Sequence, residues 1–181
     1  MSTTRAAVKL NLGCGTNRLP GWDNHDTDVD ISKPLPFSDG HADYILCEHC
    51  MEHIDYYAAV AFLKECRRVL RPGGVVRIAT PSIERIRREG TQAYFNFTTK
   101  WQPHATAQGA MHAIAYCHGH RSVWTDSLLE STLFLAGYKW VTKCNPHASA
   151  SEQLRDVDGH HRVIGEDWNR IETIVYEAAG E

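Results

Sequence analysis

At 181 residues, 43% of them hydrophobic and 23% charged, the chain is long enough for one domain with a sizeable core, and disorder is not its default. A net charge of −3 argues against a protein built to coat nucleic acid. No stretch reaches the run of about 20 apolar residues that a membrane-spanning helix needs, and MSTTRAAVKLNLGCG, with no long apolar core or A-x-A pattern, is not expected to act as a signal peptide. The six cysteines are therefore expected to be free thiols in a cytoplasmic protein.

In chain order, AAVKLNLGCG reads as a buried strand running into a tight glycine loop, and Pro20-Gly21 marks a turn. NHDTDVDIS carries acids at Asp26, Asp28 and Asp30. KPLPFSDG is loop-like, and ADYILC is a strand ending near Cys47. From Asp55 to Leu70 the period becomes helical, with Asp55 as N-cap and RPGG as the stop. VVRIATP is a strand. SIERIRREG is a helix capped by Ser82 with Gly90 past its end. Residues 91–122 have weak periodicity and resist assignment. TDSLLESTLFLAG is a helix between Thr125 and Gly137. YKWVTKC and IETIVYEA are strands, with irregular polar chain from Asn145 to Arg170 between them.

Strands alternating with helices predict an α/β domain with a Rossmann-like, doubly wound, mostly parallel sheet, and the last two strands would pair antiparallel at an edge. Only nine residues, Gly13–Gly21, separate the first strand from Trp22. A parallel crossover usually takes a dozen or more residues, so the first crossover is expected to be shortened, its helix lost or reduced to a turn.

Gly13-Cys14-Gly15 falls where such sheets bind ligands, at the carboxyl end of the first strand. The third glycine of a dinucleotide fingerprint is replaced by Arg18, and no G-K-[ST] follows, so pyrophosphate cradling is disfavoured.

The succession LNLGCG, GWDNHD, KPLPF, CEHCMEHI and FLKECRRVLRPGGVVRIATPS, over about residues 7–83, resembles the class I S-adenosylmethionine-dependent methyltransferases, nearest to their small type 11 branch. HGHR near 118 and LLESTLFLAGYKW resemble the later part of that branch more loosely. The resemblance implies a single domain over 1–181, with a cofactor half at about 7–90 and an acceptor segment at about 91–170. It implies S-adenosylmethionine as cofactor, with Asn11, Leu12, Gly13, Cys14 and Gly15 presenting main-chain amides to its methionine part. Asp26 would accept the ribose hydroxyls, and Asp30 with Ile31 would frame the adenine. Cys47, Glu48 and His49 would wall the sulfonium. The compressed segment leaves Asp28 as a candidate to replace either acid.

CEHCMEHI admits three readings: a metal set of Cys47, Cys50 and His53, a redox C-x-x-C pair, or a polar pocket wall. The pocket wall is favoured, with no metal site assigned. His49 then lies beside the transferred methyl, while His49 and His53 could equally be helix-capping residues. His118 and His120 of HGHR are candidates for a base or for acceptor positioning. His160-His161 is expected at the surface. Tyr94, Phe95, Phe97 and Trp101 could line an acceptor pocket or simply pack a core. Arginines at 67, 68, 71, 85, 87 and 88 read as solvated helix faces rather than an RNA surface. The expected function is methyl transfer to a small-molecule acceptor. The alternatives are a non-catalytic cofactor-binding scaffold and a metal-dependent enzyme built on the His/Cys clusters.

Overall fold

The computed structural model describes residues 5–101 and 104–180; residues 1–4, 102–103 and 181 of the expected single domain lie outside them. The N-terminal apolar run forms β1 (Lys9–Leu12), with Leu10 and Leu12 fully buried. No helix follows, and the chain loops directly into β2 (Asp23–His25), parallel to β1. An asparagine network does the work of the missing helix. Asn11 Nδ2 donates to the Asn17 carbonyl and to Asn24 Oδ1, while the Asn24 side chain bonds both main-chain groups of Leu19 and the Trp22 carbonyl. The loop's backbone is thus satisfied without a helical ladder.

The remaining strands are β3 (Ala42–Glu48), β4 (Leu70–Pro81), β5 (Trp140–Cys144) and β6 (Thr173–Ala179). Their spatial order is β2-β1-β3-β4-β6-β5, parallel from β2 to β4, with β6 antiparallel to both of its neighbours.

Helix α1 (Tyr56–Val69) starts at the expected cap, where Asp55 Oδ1 accepts from the Ala58 amide at 3.0 Å. It buries Phe62, Leu63, Cys66 and Val69 against one sheet face, joined by Leu129 and Leu133 of α5 (Asp126–Leu135). Ser82 and Thr125 cap α2 (Ile83–Glu89) and α5 as expected. The RPGG stretch, expected as a helix stop, lies inside β4. That strand begins at Leu70, and Arg71–Gly74 bulge out of register between the Ala42–Leu70 and Tyr44–Val75 pairs.

The opposite sheet face is covered by chain 145–158, held by a buried ion network. Arg77 of β4 is wholly buried. It donates to both carboxylate oxygens of Asp158, to Glu177 of β6 at 2.6 Å and to the Ala148 carbonyl at 3.0 Å. Trp22, Leu46, Leu154 and Val157 pack beside it.

Two stretches left irregular in the sequence reading are helical. Residues 91–122 contain α3 (Gln92–Thr98) and α4 (Ala107–Tyr116), each capped by a threonine. The polar stretch 145–170 contains α6 (His161–Ile164) and the start of α7 (Glu166–Glu172), so Ile171 and Glu172 belong to a helix and β6 begins at Thr173. Tertiary packing explains both. Ile86, Tyr94, Phe95, Ala110 and Ile114 form a second core against Trp168 and Ile171. Helices this short are marginal alone and persist through such contacts. Together α2, α3, α4 and α7 cap the carboxyl ends of the parallel strands, because α2 leaves β4 there and α7 feeds the reversed β6 there.

Candidate functional site

The glycine turn sits at the end of β1. Gly13 and Gly15 have φ of +69° and +47°, a region that favours glycine. A Cβ on Gly13 would strike Cys50 Sγ, whereas one on Gly15 would meet nothing within 4 Å, so open space adjoins that backbone. Asp26, directly after β2, accepts from the Gly15 amide at 3.3 Å and is exposed. Asp28 is engaged by its own turn, accepting from His25 Nδ1 and the Asp26 amide, which leaves Asp26 as the acid facing the glycines. Asp30 is held ionised, its pKa lowered to about 2 by the Ser32 hydroxyl, the Ser32 amide and Lys33. The Cys14 amide is taken by the His25 carbonyl at 2.9 Å and the Gly15 amide by Asp26, so it is the solvent-facing carboxylates beside the open space at Gly15 that suit a cationic, ribose-bearing cofactor.

A cavity of about 340 Å³ opens between the carboxyl ends of β3 and β4, the amino end of the reversed β6 and the helical cap. His49, Glu52, His53, His118, His120, His160 and Glu172 contribute its polar wall, and Tyr94, Trp101 and Ile114 are among its apolar residues. His49 and His118 both adopt positive φ, +45° and +61°. Strained backbone at non-glycine residues gathers at functional sites. His49 is fixed there because its amide donates to the Ala79 carbonyl at 2.9 Å.

Two charge systems organise the cavity. His49 lies 3.4 Å from Glu52 and stacks on His160 with centroids 3.5 Å apart and planes at 17°. His160 reaches Glu172 Oε1 at 3.1 Å, and Tyr94 donates to Glu172 Oε2 at 2.7 Å. Burial works to lower the His49 pKa, but the Glu52 hydrogen bond and the charges of Glu52, Glu172 and Glu48 outweigh it and raise it above its ordinary value. Burial works to raise Glu52 and Glu172; their histidine partners outweigh it, and both stay below the ordinary carboxylate value. His120 behaves oppositely. Burial pushes its pKa down, and its Nδ1 faces the Ile114 carbonyl at 2.6 Å, which fixes the tautomer with a free Nε2 lone pair.

The structure brings His49, His118 and His120 together on one cavity, and Gly13, Cys14 and Gly15 beside Asp26. Other expected contacts are spent elsewhere. Leu12, Ile31 and Cys47 are buried in the core, and the Asn11 side chain braces the loop. Glu48 accepts from the amides of Gly159 and His160 and from Asn17 Nδ2, tying the C-terminal segment to β3. All six cysteines are free. Cys50 packs on Gly13, and among the described residues the clusters able to hold a metal contain no cysteine. His160, expected at the surface, is the stacking partner of His49, because α6 and α7 fold its segment back over β3. Glu52 and Glu172 escaped the sequence reading. Glu52 stood within the polar nonapeptide, but only the turn at Met51–His53 shows that its carboxylate points inward, at 1% exposure.

A profile of the methyltransferase domain family matches residues 25–78. No curated protein sequence matches the chain at a significant level. Several solved structures share its fold. One is the complex between the Haloferax volcanii Trm112 methyltransferase activator and its methyltransferase (TM-score 0.56, 13% identity, 96% of this chain and 82% of that one). Another is an S-adenosylmethionine-dependent methyltransferase from Archaeoglobus fulgidus (0.53, 16%, 96% and 86%). A third is Haemonchus contortus phosphoethanolamine N-methyltransferase 2 in complex with S-adenosylmethionine (0.55, 11%, 97% and 50%), of which this chain spans half the length.

Proposed function

We propose that the chain, which shares the methyltransferase-domain profile over residues 25–78 and the fold of S-adenosylmethionine-dependent methyltransferases, is a class I, type 11-like enzyme whose acceptor is a small molecule bound in the cavity between sheet and helical cap. The cavity itself carries this reading. Its volume of about 340 Å³ is at the lower end of the roughly 300–1,000 Å³ of small-ligand sites, and it opens where parallel sheets place their ligands.

Asp26, exposed beside the open space at Gly15, would accept from the cofactor's ribose hydroxyls, with Asp30 further along. When bound, S-adenosylmethionine supplies a methyl group activated by a positive sulfur. The protein's share is alignment and exclusion of water, because an in-line displacement gains most from a held geometry. His120, its pKa lowered by burial and its Nδ1 committed to the Ile114 carbonyl, offers its Nε2 lone pair to the acceptor, while His49, with Nδ1 on Glu52 and Nε2 on the Thr173 hydroxyl, belongs to the fixed wall. That lone pair suits an acceptor carrying a hydroxyl or an amine.

The test is transfer from labelled S-adenosylmethionine to a panel of small hydroxyl and amine acceptors. His120→Ala is expected to lower kcat/KM at least about tenfold, equivalent to about 1.4 kcal/mol, while cofactor affinity stays unchanged. Full turnover in that variant, or loss of cofactor binding with it, would show that His120 does not face the acceptor.

A further inference from the structure

Three groups of histidine and carboxylate side chains approach one another closely enough to hold a metal ion: His49, His160 and Glu172; Glu52, His53 and His120; and His147, His161 and Glu166. Ring geometry separates them. An imidazole lone pair lies in the plane of its ring. The His49 and His160 rings are stacked nearly parallel, so their lone pairs cannot converge on one ion. The His53 and His120 rings meet at 79° with centroids 4.9 Å apart, an arrangement in which they can. His147 and His161 are also crossed, at 85°, but His147 is already bonded to Glu166, whose other oxygen faces Arg170.

We propose that Glu52, His53 and His120 form a binding site for one divalent transition metal, of the zinc class, on the wall of the acceptor cavity. Each residue presents an unspent ligand atom. Glu52 Oε1 is buried and meets His49 Nδ1 only at a long 3.4 Å, which leaves it a lone pair. Glu52 Oε2 is oriented by the Thr80 hydroxyl at 3.1 Å. His120 Nδ1 is committed to the Ile114 carbonyl, the outer contact that metal-binding histidines use to fix the tautomer and turn Nε2 towards the ion. His53 is exposed, with its ring set edge-on to that of His120.

The frame is rigid on the other two sides. The Arg121 and Ser122 amides both donate to the Glu52 carbonyl, at 2.8 and 3.1 Å, so the loop bearing His120 is pinned to the residue supplying the carboxylate. The ligand atoms lie within 4.8 Å of one another. Around a tetrahedral zinc they would be about 3.4 Å apart, a closure that rotation of His53 supplies. Two imidazoles and one carboxylate leave a coordination position open, as in catalytic rather than structural sites. All three residues line the cavity, so that position faces the acceptor. The inference rests on the acceptor reading above and sharpens it: the acceptor binds through an oxygen donor, and the His120 lone pair acts on it through the ion.

The test is a titration of chelator-stripped, tag-free full-length protein with Zn²⁺ by calorimetry, with S-adenosylmethionine binding measured on the same samples. One Zn²⁺ per chain is expected, with affinity reduced at least tenfold in His53→Ala, His120→Ala and Glu52→Gln and unchanged in His147→Ala. Substituted Co²⁺ should give the visible spectrum of a four- or five-coordinate nitrogen and oxygen site without thiolate bands. His53 is exposed, so its variant folds normally and keeps cofactor affinity. Absence of stoichiometric binding, or binding that survives His53→Ala and falls with His147→Ala, would overturn the site and leave the methyltransferase reading intact. Loss of S-adenosylmethionine binding by the stripped wild-type protein would count against that reading instead.

Discussion

Two histidines on one cavity have their pKa values moved in opposite directions, and the difference lies in what surrounds each ring. His49 sits among Glu52, Glu172 and Glu48, whose charges overcome its burial. Burial, joined by the neighbouring His53 and His118, lowers the His120 pKa against the opposing pull of the Ile114 carbonyl and Glu52. The ordinary value of both is 6.5. A histidine with a raised folded-state pKa stabilises the protein fully below that value and loses the contribution as pH rises through the folded pKa. One with a depressed pKa has the opposite effect: its unfolded state takes up the proton first, so stability falls as pH drops below 6.5. Urea midpoints measured against pH should therefore form a plateau near neutrality. His49→Ala should flatten its alkaline slope and His120→Ala its acidic slope, and the reverse assignment would contradict the environments described. Also at this scale, Asp26→Ala should weaken S-adenosylmethionine binding by about 1.5–3 kcal/mol, the range for hydrogen bonds to a charged group. Calorimetry reads this directly, and an unchanged affinity would remove Asp26 from the cofactor contacts.

Helix α1 is the element whose sequence and structure agree most closely, since its cap, its buried stripe and its length all follow from local rules. Asp55→Ala removes the acceptor for the Ala58 amide and should cost about 1 kcal/mol by chemical denaturation. The segment over the opposite sheet face obeys a different logic. Residues 145–158 contain only a single 3-10 turn, Glu152–Leu154, and Arg77, braced by Glu177, fixes them through Asp158 and Ala148. Arg77→Ala strands two buried carboxylates and should cost about 3–5 kcal/mol. Because Glu48 is tied to the same segment through Gly159 and His160, that variant should also loosen the wall bearing His160. Faster amide exchange at residues 145–160, with α1 still protected, would show it; uniform loosening of the whole sheet would not fit this account.

At the scale of the whole molecule, the helical cap over the strand ends converts a sheet edge into an enclosed site. Cofactor binding should stabilise the folded chain by mass action, by about 2.7 kcal/mol at a hundredfold excess over Kd, visible as a rise in Tm that shrinks in Asp26→Ala. The sequence by itself determined the parallel sheet, the glycine turn, the acids after β2, α1 with its cap, and the missing first crossover helix. Each of these is written in contiguous residues as a period, a turn residue or a cap. Only the tertiary structure decided that α3, α4 and α7 are helices at all, since their short stretches draw stability from the shared core around Tyr94, Phe95 and Trp168. Only it placed His160 on His49 and turned Glu52 and Glu172 inward, bringing together residues that lie up to 123 positions apart, from His49 to Glu172. Burial and charge pairing between such distant residues arise from packing, and no local pattern encodes them.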